Sequence, residues 1–253
     1  MRRSRFVQFV LLFVWPLVAN VFGIGPHLLV LADEVANRVG TQSTSSTVAT
    51  TGSVRGTVTY AADPQQPWRL GRYYIRKSRT GELSEAVVAI TDRGLAASDA
   101  KRTPATITID QKNFQFEPEV VSVRAGDKVR FLNSDNQTHN VRTSHAKQTF
   151  NVTMPVGGTH EEVFGVASGI RQPYEIGCVF HSSMRAWVFV FDHSWSAVTG
   201  KDGAFELQEV PPGEHQLEVV HAAGKLRKSE TIEVIAGQIT EVQIRLSPKD
   251  LKD

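Results

Sequence analysis

Between residues 104 and 192 no segment of this chain sustains a helical hydrophobic period, and nothing else in the sequence constrains the fold as strongly. Ala105–Asp110, Val120–Arg124, Lys128–Asn133, His160–Phe164 and Ala186–Phe191 are short runs, apolar or alternating. Turn residues such as Ala125-Gly126-Asp127 and Gly157-Gly158 separate them. Period-two alternation puts one face of a strand in a core and the other in water. Short strands punctuated by turns predict an all-β sandwich.

The flanks carry the same pattern in incomplete form. Ser53–Tyr60 alternates, and Ala86–Thr91 reads as a short buried strand ended by Asp92-Arg93-Gly94. The basic stretch Ala61–Glu85, with Pro64, Pro67 and Gly71, takes no element. Beyond residue 193, Lys201-Asp202-Gly203 predicts a hairpin turn and Pro211-Pro212-Gly213 a second tight turn. His215–His221, Ser229–Val234 and Thr240–Leu246 alternate. Neither flank has enough strands to bury a core alone, and an open sandwich exposes unpaired edges. Residues 53–100 and 194–247 are therefore expected to form one small sandwich, with residues 101–193 inserted at a connection between its strands. On that arrangement Val54–Tyr60 pairs in the sheet that holds Phe205 or Val219.

The amino terminus bears an export signal. Arg2, Arg3 and Arg5 precede the apolar run Phe6–Ile24, and Val30-Leu31-Ala32 has the form of a signal-peptidase site. Residues 1–32 are read as a signal peptide or N-terminal anchor, and residues 33–52, rich in Ser and Thr, as a linker. Residues 248–253 are a tail. The expected location is the periplasm or cell surface, with membrane attachment only through residues 6–24. Lys and Arg total 28 against 26 Asp and Glu, a net charge of +2, which argues against a nucleic-acid partner.

Chemistry concentrates in Tyr174–Met184. The only cysteine, Cys178, is followed three residues later by His181 and after three more by Met184. Asn133–Asn140 brings His139 in a polar turn after an apolar run. A thiolate, two imidazoles and a thioether match the donors of a blue-copper centre, with His₂Cys in a trigonal plane and Met at a long axial distance. A single cysteine excludes an intramolecular disulfide. The eight histidines form no His-x-His pair of the kind a multicopper oxidase uses. His145, six residues past His139, reads as a solvated loop residue. No nucleophile elbow, phosphate loop or zinc-protease motif is present, so no enzymatic activity is expected.

Phe116-Glu117-Pro118, the strand-turn-strand Val121–Asn133, His139-Asn140 and Cys178-x-x-His181-x-x-Met184 resemble a cupredoxin of the plastocyanin and amicyanin type. The resemblance implies a Greek-key β-sandwich binding one type 1 copper through His139, Cys178, His181 and Met184. It also implies that Asn140 points its backbone amide at the Cys178 sulfur and ties the ligand loops together with its side chain. The implied function is an electron carrier cycling between Cu(II) and Cu(I), with a redox partner protein docking near His181. Ser182 and Ser183 depart from relatives, which commonly carry Pro after the second ligand His and often an aromatic before the Met. The flanking strands resemble a carboxypeptidase regulatory-like (transthyretin-like) sandwich. Two other readings are open: a copper-binding or delivery protein without redox turnover, and a surface binding module that has lost its metal.

Overall fold

The computed structural model describes residues 50–61, 64–66, 70–71, 73–75, 79–92 and 102–252. The expected export signal, His27 and all but the last residues of the expected 33–52 linker lie outside the described residues. Among the described residues no helix is long and apolar enough to cross a membrane.

The protein is all-β. The first two strands are β1 (Gly52–Tyr60) and β2 (Val87–Ile90). Then come β3 (Thr106–Lys112), β4 (Gln115–Glu117), β5 (Val120–Arg124), β6 (Asp127–Asn133), β7 (His139–His145) and β8 (Gln148–Met154). These are followed by β9 (Thr159–Phe164), β10 (Tyr174–Gly177) and β11 (Arg185–Phe191). The carboxy-terminal strands are β12 (Ser196–Val198), β13 (Ala204–Val210), β14 (Gly213–His221), β15 (Leu226–Val234) and β16 (Ile239–Leu246).

Strands β3 to β11 make two sheets, ordered β5-β11-β10-β7-β8 and β4-β3-β6-β9. Between them lies a core that includes Ile109, Val129, Phe131, Phe164, Tyr174, Ile176 and Val188. The strand that leads to the ligand loop alternates as a half-buried strand must: Tyr174 and Ile176 point inward, Glu175 outward.

The flanking strands pair with one another across this block. β1 lies between β13 and β16, with Gly56 opposite Phe205 on one side and Val242 on the other. Val54–Tyr60 thus pairs in the sheet of Phe205, while Val219 belongs to the second sheet, β12-β2-β14-β15. Val54, Val58, Val88, Ile90, Leu207, Leu217 and Ile244 fill the core between these two sheets. Gly56 is required where it stands, because a Cβ there would sit 2.2 Å from the Val242 carbonyl oxygen and 2.8 Å from the Phe205 ring.

The expected hairpin at Lys201-Asp202-Gly203 and the expected turn position of His139 are corrected, while Pro211-Pro212-Gly213 is a tight turn leading into β14. Lys201-Asp202-Gly203 is a tight turn but not a hairpin. It carries the chain from β12, paired with β2, to β13, paired with β1 in the other sheet. Pro211-Pro212-Gly213 likewise joins strands of different sheets. Turn residues set local reversal, but each strand's apolar face chooses its sheet. His139 is not in a turn either. It is the first residue of β7, and the β7–β8 ladder runs from His139 opposite Met154 to His145 opposite Gln148.

A third buried cluster joins the sheets of β3 to β11 to the flanking ones: Val87 and Ala89 of β2 with Val120, Ile170, Phe189 and Phe191. At this seam the fully buried Glu218 of β14 accepts two hydrogen bonds of 3.0 Å from Arg171 Nε.

Candidate metal centre

The ligand loop is a short excursion between antiparallel neighbours. β10 ends at Gly177 and β11 starts at Arg185, with Gly177 and Arg185 opposite each other. The loop closes on itself: Met184 N–H donates to His181 O at 2.9 Å, and Cys178 N–H reaches Met184 O at 3.4 Å. Cys178 and Met184 are buried in the core cluster of this block, whereas His181 is half-buried.

His139 enters from the adjacent strand. It is fully buried, and its Nδ1 lies 3.0 Å from His181 Nδ1. Cys178 Sγ is 3.7 Å from His181 Nδ1. One ligand atom from each of His139, Cys178 and His181 falls within 4.8 Å of the others. Metal–nitrogen bonds of about 2.0 Å and metal–sulfur bonds of about 2.3 Å put neighbouring donors roughly 3–4 Å apart around a shared ion. The three donor atoms thus fit one soft or borderline metal, and thiolate with imidazole is the donor set that copper favours.

The arrangement also explains how His139 is held. Its Nε2–H donates to Asp135 Oδ2 at 2.7 Å, which leaves Nδ1 with its lone pair toward Cys178 and His181. Asp135 is itself fixed by backbone N–H groups, from Asn113 to Oδ1 at 2.7 Å and from Phe114 to Oδ2 at 2.9 Å. Burial raises the Asp135 pKa, but the hydrogen bonds from Phe114, His139 and Asn113 outweigh it and hold the carboxyl below its usual value.

Phe114 covers the site from outside. It stands edge-on to both imidazoles, its centroid 5.5 Å from that of His139 and 5.0 Å from that of His181. Both Asn113 and Phe114 take left-handed backbone, with φ of 52° and 58°, in the β3–β4 turn. Reading the sequence assigned no role to Asp135 or Phe114. The available signal for Asp135 was a carboxylate four residues before a candidate ligand histidine.

Asn140 bridges the two ligand segments: its Oδ1 accepts from Val179 N–H at 3.3 Å, and its Nδ2 donates to Val152 O at 3.0 Å. His145 is not the solvated loop residue expected: it ends β7, half-buried and outside the donor cluster, with its ring centroid 4.0 Å from that of Tyr174.

No curated protein matches the chain. Solved amicyanin structures resemble part of it. They include a methionine-to-alanine mutant in the Cu(I) form at 21% identity and a reduced proline-to-phenylalanine mutant at 23%. Amicyanin from Paracoccus versutus is 20% identical. Each match covers 41% of this chain and 97–98% of the other, with a TM-score of 0.31. Residues 104–190 match the sequence profile of copper binding proteins of the plastocyanin/azurin family, and with His139, Cys178 and His181 gathered inside that stretch, the cofactor of this site is copper.

Proposed function

We propose that this protein is an exported carrier of single electrons built on one type 1 copper, with His139, Cys178 and His181 as equatorial ligands and Met184 as the axial one. The observation that carries this reading is the convergence of the His139 imidazole from β7 with the Cys178 sulfur and the His181 imidazole within 4.8 Å, the last two on a loop that also holds the buried Met184. Bound copper supplies the Cu(II)/Cu(I) couple. The chain supplies rigidity: β7 fixes one ligand segment and β10 and β11 anchor the other at both ends, Asp135 orients His139, and Asn140 ties Val179 to β7 and β8. A site held this way needs little rearrangement when its charge changes, which suits a carrier and not an enzyme.

Half-buried His181 is the ligand nearest solvent, and Phe114, Val179 and Phe180 beside it in the chain or in space are exposed, so a redox partner docks there. Residues 53–100 and 194–247 are read as one carboxypeptidase regulatory-like sandwich hosting residues 101–193. The N-terminal signal places the protein in the periplasm or on the cell surface.

Titrating the full chain with Cu(II) tests the function. An intense absorption band at about 600 nm is expected from thiolate-to-Cu(II) charge transfer. Copper bound without the band favours a delivery role, and no binding favours a surface module. Met184→Gln is expected to keep copper and lower the reduction potential, since an oxygen donor favours Cu(II) over Cu(I); an unchanged potential removes Met184 from the axial position.

A further inference from the structure

The turn between β3 and β4 is two residues long. Lys112 stands opposite Gln115, and Asn113 and Phe114 between them have φ of 52° and 58°. A two-residue turn with positive φ at both positions ordinarily carries asparagine and then glycine, because a Cβ at the second position crowds its own backbone. Asparagine tolerates this backbone, whereas phenylalanine rarely adopts it. Burial does not account for the ring either, since it is 45% exposed. A strained residue that neither its turn nor the core requires points to a role elsewhere.

The neighbours of the ring supply that role. Phe114 stands edge-on to both imidazoles, with interplanar angles of 90° to His139 and 86° to His181. The two histidines are not equally fixed. His139 begins β7, is fully buried and donates to Asp135. His181 is half-buried in the loop between β10 and β11, and its imidazole meets the other two donors and the Phe114 ring. Asp135 Oδ2 accepts from Phe114 N–H at 2.9 Å and from His139 Nε2–H at 2.7 Å, while Oδ1 accepts from Asn113 N–H at 2.7 Å. One carboxylate therefore seats the turn, and through it the ring, against the strand that carries His139.

We propose that Phe114 is a positioning residue for the metal site: its ring clamps the His181 imidazole against His139, and its left-handed backbone holds the ring where it does so. The proposal rests on the reading of His139 and His181 as copper ligands and assigns what keeps the less buried of the two in place. A ligand held before the metal arrives loses little freedom on binding, so the ring raises affinity although phenylalanine has no donor atom.

Three variants of the full chain separate the ring from the turn. Phe114→Gly removes both the ring and the backbone strain, Phe114→Ala removes the ring alone, and Phe114→Tyr keeps both. The imidazole centroids of His139 and His181 lie 4.9 Å apart, so the metal-free wild type and Phe114→Tyr should show nuclear Overhauser contacts between them. Phe114→Gly and Phe114→Ala should lose those contacts. Copper affinity, measured by competition against a chelator, is expected to fall about tenfold in both and to stay at the wild-type value in Phe114→Tyr. Phe114→Gly should nevertheless melt no lower than the wild type and above Phe114→Ala, since glycine relieves the turn. Wild-type copper affinity in Phe114→Gly, or imidazole contacts that survive in it, overturns the proposal. So does a melting temperature about 5 °C or more below the wild type's, which would make the ring a part of the fold and not of the site. A wild type that binds no copper overturns the ligand reading, and the clamp is then decided by the imidazole contacts of the metal-free chain, which are read without copper.

Discussion

His139 Nε2 lies 2.7 Å from Asp135 Oδ2, and that contact decides which nitrogen of a fully buried imidazole faces Cys178. Asp135→Asn replaces an acceptor held by three donors with a neutral amide. Copper affinity is expected to fall about 10–100-fold, the usual cost of removing a partner that orients a ligand histidine. Competition titration against a chelator measures it. Wild-type affinity in the variant would mean that β7 alone orients the ring.

Cys178→Ser should abolish the visible band while leaving the fold. The thiolate is the source of the charge transfer, whereas serine is close to isosteric and Cys178 is only one of the many buried residues that make up its core cluster. Absorption and far-UV circular dichroism of the same sample check both halves. A surviving band would place the sulfur outside the site.

Two groups near Tyr74, half-buried Glu85 and buried His221, give stability opposite pH slopes. Burial first, and then Glu119, push the Glu85 carboxyl up to about 7. A raised acid stabilises the fold fully below its unfolded value, and that contribution is lost as pH rises through 7. Burial pushes His221 down to about 4, so its contribution is full above about 6.5 and is lost as pH falls through 4. The two effects offset one another between about pH 4.5 and 6.5. Glu85→Gln removes the falling slope that Glu85 contributes, and the urea midpoint should climb more steeply with pH than in the wild type. Identical profiles would show that Glu85 does not titrate in this range.

Gly56→Ala is expected to destabilise the protein by about 2 kcal/mol or more, because the new methyl meets the Val242 carbonyl at 2.2 Å. Thermal unfolding reads the loss. A melting temperature unchanged within a degree would mean that β1 and β16 separate without cost.

The sequence by itself determined what is local. The spacing from Cys178 through His181 to Met184 places three donors on one loop of seven residues, and period-two alternation marks strands such as β1, whose burial alternates along its length. It did not reveal β7 and β8. In β7 the buried positions include His139, Asn140 and Thr143, polar residues turned inward by the site, which erase the apolar pattern. β8 lies at a sheet edge and is mostly half-buried or exposed, so it has little apolar face to show. Sheet membership was equally hidden, because the turn at Lys201-Asp202-Gly203 has the same residues whether the chain returns to its neighbour or crosses to the opposite sheet. Only the tertiary structure brings Asp135 and Phe114 to the imidazoles, through the left-handed turn at Asn113–Phe114 whose amides hold the carboxylate. Only there does Tyr74 reach Glu119 across 45 residues. Spacing along a chain fixes what one loop can gather, whereas contacts between distant segments follow from how whole faces bury one another.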